Sequence, residues 1–220
     1  YKSGAFMNLD AFSLRNLEIS EAMRTGEKRG SLLWVLDKTC TGMGARLLKQ
    51  WVLKPLLSSR AINARLAAVA ELKEDKGGRQ ELKELLRGIV DMERITTRLV
   101  YGSANARDLK ALEASISRLP AIKAALSVYK CETLKGLCDS IDELSDIGES
   151  IASTIAEDPP ITLREGGIIK TGANASVDEL RAMMTDGREW ISRIEAEEKQ
   201  STGIRTLKVG YNKVFGYYIE

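Results

Sequence analysis

Histidine is absent from this sequence of 220 residues. With it go the commonest metal ligand and the only side chain whose ordinary pKa lies near neutrality, so histidine-based triads, zinc proteases and haem ligation are excluded. Aromatic residues make up 5% and there are 4 prolines, while 44% of residues are apolar and 29% charged. That balance argues against an all-β enzyme and suits long, surface-rich helices. The 3 cysteines, Cys40, Cys131 and Cys138, are an odd number without C-x-x-C spacing. They argue against a disulfide framework or a structural zinc and are read as reduced thiols of a cytoplasmic protein. No uninterrupted apolar run exceeds the five residues of Leu32–Leu36, against the roughly 20 needed to cross a bilayer, and no signal-peptide pattern is read ahead of it. No membrane partner is expected.

Phosphate-cradling loops are missing as well: there is neither G-x-x-x-x-G-K-[ST] nor G-x-G-x-x-G between a strand and a helix. Gly42-Met43-Gly44 comes nearest, but lacks a third glycine and a preceding strand and reads better as a helix start. The acid pairs Asp142-Glu143 and Glu197-Glu198 lie in highly charged helical segments and read as solvated faces. No nucleophile has an evident base. The residues themselves therefore describe no enzyme, and no catalytic, metal or cofactor site is assigned.

What is present is charge, unevenly spread. The 33 basic and 31 acidic side chains leave a net +2. Residues 1–60 carry +5, 61–150 carry −1, 151–200 carry −4 and 201–220 carry +2. A polyanion-binding surface is thus expected at an end of the chain, although solvated faces without function explain the charge equally well.

From about residue 31 to 156 the pattern is helix after helix, seven or eight in all. Ser31 is a plausible N-cap, residues 39–44 form a break, and Pro55 ends the next helix. Over residues 59–74, Ile62, Leu66, Val69 and Leu72 stand at the spacing of one buried face, and Asp75-Lys76-Gly77-Gly78 interrupts it. Later stretches carry Leu82, Leu85, Leu86 and Ile89, then Ile95, Leu99 and Val100, then Leu109, Leu112, Ile116 and Leu119. Residues 133–156 place Leu134, Leu137, Ile141, Leu144, Gly148, Ile151 and Ile155 on a heptad stripe, which predicts one long helix ending before Pro159-Pro160. Gly166-Gly167, Ile168-Ile169 and Gly172 predict a turn and a short extended segment against the helices. A second long helix starts at Ser176, capped through a box with Glu179, and runs to about 202 with a stripe of Val177, Leu180, Met184, Ile191 and Ile194. Its charged far end, Glu195 to Lys199, suits solvent. Residues 204–209 and 214–219 then alternate as strands around a turn at 210–213, a hairpin.

The fold class expected is mainly α: an irregular multi-helix core with long rod-like helices and a small terminal β-hairpin. The hairpin is the best contact surface. Asn212 and Lys213 in its turn, Lys208 and Arg205 behind them, and Tyr211, Tyr217 and Tyr218 nearby offer donors and cations suited to phosphate oxygens. An ordinary solvated hairpin with packed tyrosines is the alternative.

At this point the residues resemble a known family. Leu14-Arg15-Asn16-Leu17-Glu18, the run from Gly30 through Trp34 and Asp37 to Thr39, Thr41-Gly42-Met43-Gly44-Ala45-Arg46-Leu47-Leu48, and Trp51 through Pro55-Leu56 are similar to the core signature of the MutS family of DNA mismatch-repair proteins. Arg164-Glu165-Gly166-Gly167-Ile168-Ile169, and the run from Thr202 through Gly210-Tyr211-Asn212-Lys213 to Ile219, resemble its lever and the start of its clamp. The matches follow in order over essentially the whole sequence.

The resemblance implies a helical core over residues 1–173, an outgoing lever helix over 174–202 and the first hairpin of a truncated clamp over 203–220. It implies a piece of a larger protein that binds double-stranded DNA as a homodimer, works with a MutL-type repair partner, and hydrolyses ATP with Mg in a separate domain. This chain would itself be no enzyme: it would relay conformational change between that domain and a clamp that holds duplex backbone non-specifically. The matching DNA-contacting position is Asn212, with Tyr211 and Lys213 beside it. Trp34, Arg46, Leu48 and Trp51 are assigned to core packing and helix docking. The alternative is a purely structural helical scaffold, or coiled-coil interaction module, without DNA contact.

Overall fold

The computed structural model describes residues 5–204, 206–212, 214 and 216–220, with the side chains of 185, 186, 188 and 189 left undescribed. The fold is mainly α, ending in a two-stranded hairpin. Among the described residues there are eleven α-helices, nine of them (α2 to α10) within residues 31–156 where seven or eight are expected: α1 (Ala11–Asn16), α2 (Leu32–Leu36), α3 (Gly42–Leu53), α4 (Ser59–Glu74), α5 (Lys76–Arg87), α6 (Met92–Val100), α7 (Ala106–Ile116), α8 (Leu119–Ser127), α9 (Glu132–Ser140), α10 (Ser145–Thr154) and α11 (Ala175–Thr202). Most are short because cap residues recur along the chain. Asp10, Ser31, Thr41, Ser58, Asp75, Asp91, Asn105 and Asn174 each accept from a backbone N–H of the first turn that has no partner within its own helix. Ser31 caps α2 as expected, its Oγ accepting from Trp34 N at 3.2 Å and donating to Lys28 O at 2.7 Å.

The break expected at residues 75–78 shrinks to Asp75 alone. Asp75 closes α4 through its backbone and caps α5 by accepting from Gly78 N at 2.9 Å, while Tyr129 Oη donates to its other oxygen at 3.1 Å. A Cβ at Gly78 would overlap that carboxylate, so glycine here serves close approach and not helix breaking.

Two apolar clusters hold the helices. One gathers Ile95, Ala106, Leu112, Ile116, Ile151 and Ile155; the other Ala68, Leu82, Ile122, Tyr129 and Leu134. Buried Ser115 supports the first by accepting from Val90 N at 3.0 Å while donating to Ala111 O. The heptad stripe over residues 133–156 does not form one helix. Ile141 leaves α9 in an extended conformation, Asp142 accepts from Leu144 N at 3.0 Å, and Leu144 adopts a left-handed φ of +50°. Asp side chains compete for nearby backbone donors in this way. The redirection sends Leu134 to the second cluster and Ile151 and Ile155 to the first.

Helix α4 also departs from expectation. Ile62, Leu66 and Val69 are 37%, 57% and 59% exposed, and the side turned inward carries Ala61, Arg65, Ala68 and Leu72. Small residues let α9 approach closely enough for Thr133 Oγ1 to donate to Ala64 O at 3.1 Å. Helix α3 docks on the start of α6 through Arg46, whose guanidinium donates to both oxygens of Asp91 at 2.6 and 2.8 Å and to Glu93. Trp34 and Trp51 are not core residues, being 46% and 41% exposed, but Trp51 does dock α3 on α4, with Arg65 3.7 Å from the centre of its ring. Leu48 is half-buried.

After α10 the chain turns through Pro159-Pro160, held to α7 by Arg107 Nε donating to Pro159 O at 2.9 Å. A 3-10 turn, Leu163–Glu165, leads into the extended segment, where Ile169 bridges Ile155 in antiparallel pairing. Helix α11 then runs 28 residues, about 42 Å at 1.5 Å per residue. Its cap is Asn174, which accepts from Val177 N at 3.2 Å, and not Ser176, which lies in the first turn. It stops at Gly203, in a left-handed conformation that glycine accepts without cost.

Two outcomes follow. Ile116→Ala lowers the unfolding free energy by about 2–5 kcal/mol through lost burial and a residual cavity, whereas Leu66→Ala and Val69→Ala each stay within about 0.5 kcal/mol; urea unfolding followed by circular dichroism separates them. The Arg46 guanidinium beside Asp91 holds its carboxyl down to about 2. The stabilisation is therefore fully present above about pH 4 and is lost as pH falls through about 2. In Arg46→Met the Asp91 carboxyl returns towards about 4 in an NMR titration and the acid-side loss of stability becomes shallower.

Candidate functional site

The terminal hairpin is built by strand pairing, but its turn lies further along than expected. β1 (Val209–Asn212) and β2 (Gly216–Ile219) pair antiparallel with Val209 opposite Ile219, Gly210 opposite Tyr218, Tyr211 opposite Tyr217 and Asn212 opposite Gly216. Residues 210–212, expected in the turn, are thus strand residues of β1. Three features accompany this register. Asn212 Oδ1 accepts from Val214 N at 2.8 Å, closing the turn on the asparagine side chain. Gly216 has φ +78°, a conformation other residues resist. Gly210 is a strand residue: a Cβ there would lie 2.7 Å from the Tyr218 ring, which covers it. Residues 204–208, expected as strand, mostly precede the ladder, which Lys208 and Glu220 extend by exchanging two backbone hydrogen bonds of 2.8 and 2.9 Å.

At the tip, Asn212 is exposed on the last position of β1 and Tyr211 is 64% exposed. Tyr211 meets Tyr217 edge to face with centroids 5.0 Å apart. The pair braces one face of the ribbon while leaving both rings open to solvent. Lys213 and Arg205 lie outside the described residues. The structure therefore brings Asn212 and Tyr211 together at one end of an exposed ribbon, with Lys208 at the ribbon's base.

The base is fastened to the far end of α11. Glu195 Oε2 accepts from Val209 N at 3.3 Å and Oε1 accepts from Lys199 Nζ at 2.6 Å. Lys199 first, then the Val209 N–H, holds the Glu195 carboxyl below the ordinary carboxylate range. Leu207, two residues before Val209, is only 6% exposed. The sequence had assigned Glu195 to solvent. Its one readable signal is the i,i+4 pairing with Lys199, which every charged helix shows. The apolar stripe of α11 remains open near its start, with Leu180 and Met184 62% and 64% exposed.

No group of three or more Cys, Asp or Glu among the described residues is placed to hold a metal ion, and no phosphate-binding loop occurs in the sequence.

A two-cluster helical core bearing one long helix, with a polar-tipped ribbon fastened at its end, is a scaffold-and-arm module. The chain belongs to the MutS domain III family, whose model matches residues 13–208. Relatives described as "DNA mismatch repair protein MutS" include that of Symbiobacterium thermophilum, 49% identical over 219 residues, and that of Ruminiclostridium cellulolyticum, 48% identical over 220. The protein of that description from Alkaliphilus oremlandii is 50% identical over 214 residues, 97% of this chain. The chain spans about a quarter of the length of these relatives, 25%, 25% and 24% respectively.

Gly210→Ala places a methyl group against the Tyr218 ring, at a cost of about 1–3 kcal/mol. Exchange of the Glu220 amide, which donates to Lys208 O, is expected to speed up at least about fivefold by NMR, the equivalent of about 1 kcal/mol. The core amides of α7 should keep their protection.

Proposed function

We propose that the chain is the core, lever and first clamp hairpin of a mismatch-repair protein of the MutS type, and that its tip holds duplex DNA by the backbone. The divisions are residues 1–173 for the core, 174–202 for the lever and 203–220 for the clamp hairpin. The observation that carries this is an exposed Asn212 and Tyr211 on a ribbon held at the end of a helix about 42 Å long. A rod of that length converts a small rotation at its base into a large displacement at its tip. Asn212, Tyr211 and Lys213 supply neutral donors and one cation, which suit phosphate oxygens and carry no base preference.

In this reading the chain performs no catalysis. ATP and Mg act in a separate domain of the longer protein, which works as a homodimer with a MutL-type partner in the cytoplasm. The alternative, a helical scaffold without DNA contact, predicts a tip indifferent to DNA.

The test is duplex binding by the longer protein as salt is raised, comparing wild type with the double variant Asn212→Ala, Lys213→Ala. The clamp reading expects weaker binding, equal losses on matched and mismatched duplexes, and a log–log salt slope shallower by roughly one from the lost lysine. Unchanged affinity and slope would sink it and leave the scaffold.

A further inference from the structure

The segment between the core and α11 is bonded on both of its edges. In the antiparallel pairing of Ile169 with Ile155, Ala156 N donates to Ile168 O and Lys170 N donates to Thr154 O, both at 2.8 Å. These bonds flank Ile169 and leave its own backbone groups pointing away from the core, as the alternation of an antiparallel ladder requires. Arg181, in the second turn of α11, donates from Nη2 to Ile169 O at 2.5 Å. Three residues further along the segment, Gly172 N donates to Asp178 Oδ2 at 2.6 Å, and Asp178 Oδ1 lies 3.4 Å from Arg181 Nη1.

Between Ile169 and α11 the backbone turns through a hydrogen bond from Ala173 N to Lys170 O at 3.1 Å, which does not by itself fix the helix direction. Gly167 and Gly172 bound the segment with φ of +73° and +87°, left-handed conformations that glycine adopts without steric cost. Nor does apolar packing lock the helix: between it and the segment lies an open cleft of about 660 Å³, lined by Leu163, Ile168, Val177, Leu180 and Met184 among others. The half-buried guanidinium of Arg181 crosses this gap.

We infer that Arg181 is a positioning residue that sets the angle between the core and α11, by tying the helix to the outward edge of the 168–170 segment. Asp178 orients the guanidinium and holds the segment's end at Gly172. This rests on the lever reading for its functional meaning, since an angle set at the base decides where the tip lies. Its structural content is independent of DNA.

The experiment measures that angle. Spin labels are placed at Glu149→Cys on the core and Gln200→Cys near the end of α11, in a background with Cys40, Cys131 and Cys138 replaced by Ser. Serine at 131 retains an N-cap acceptor where the cysteine sulfur now accepts from Leu134 N. Pulsed dipolar spectroscopy then compares wild type with Arg181→Met, which keeps an aliphatic stem in the cleft and removes only the donors. The distance distribution is expected to broaden at least about twofold and to narrow again in Arg181→Lys, with the Ala156 and Lys170 amides still protected from exchange in both.

In the longer protein, Arg181→Met should weaken duplex binding with an unchanged salt slope, because no phosphate contact is lost. A distribution as narrow in Arg181→Met as in wild type overturns the inference. If the distribution broadens but neither this variant nor the tip variant alters duplex binding, the positioning role stands and the clamp reading falls.

Discussion

A two-stranded antiparallel ladder leaves every second pair of backbone groups facing outward, and such groups need partners when they are not given to water. The long helix meets the rest of the chain at two such edges. At its start Arg181 donates to the outward carbonyl of Ile169; near its end Glu195 accepts from the outward N–H of Val209. The two side chains stand fourteen residues apart, just under four helical turns and about 21 Å, so they emerge on nearly the same side. One face of the helix thus carries a cation for a carbonyl and an anion for an amide. Charge-assisted bonds of this kind are stronger than neutral ones.

The core on which this helix stands depends on a break in its own pattern. Asp142 ends what would otherwise be one continuous helix, and the left-handed Leu144 turns the chain so that α9 and α10 serve different clusters. Had the stripe over residues 133–156 remained one rod, Ile155 could not reach the first cluster while Leu134 filled the second. Since Ile155 is also the residue that pairs with Ile169, the anchorage of the long helix traces back to that turn. Arg46, joining α3 to the cap residue of α6, fixes the amino-terminal part in a similar way, through an ion pair of two hydrogen bonds and not through apolar packing.

Exposed apolar residues are numerous for a chain of this size, including Trp34, Trp51, Leu66, Val69, Leu180 and Met184. Together with relatives about four times as long, they describe a surface suited to further contacts. The charge pattern reads differently once folded. The −4 of residues 151–200 includes Asp178 and Glu195, which are structural acceptors for the segment and the hairpin. What looked like a solvated acidic stretch is in part the fastening of the arm.

Helix content, most helix boundaries, the terminal hairpin and the family motifs are local or collinear properties, and the amino-acid sequence by itself determined them. Caps such as Ser31 and Thr41 act within one turn, and the chain's period changes from 3.6 to 2 without reference to anything distant. Orientation is not local. Which side of α4 faces inward was settled by close approach of α9 onto its small residues, against the reading of Ile62, Leu66 and Val69 as the buried face. Residues 210–212 joined β1 and not the turn, with Tyr218 covering Gly210 in a cross-strand contact that exists only once the register is set. Only the tertiary structure decided the attachment of the arm, since the partners of Arg181 and Glu195 are backbone groups, which every residue carries, and only folding chooses which ones are left facing outward.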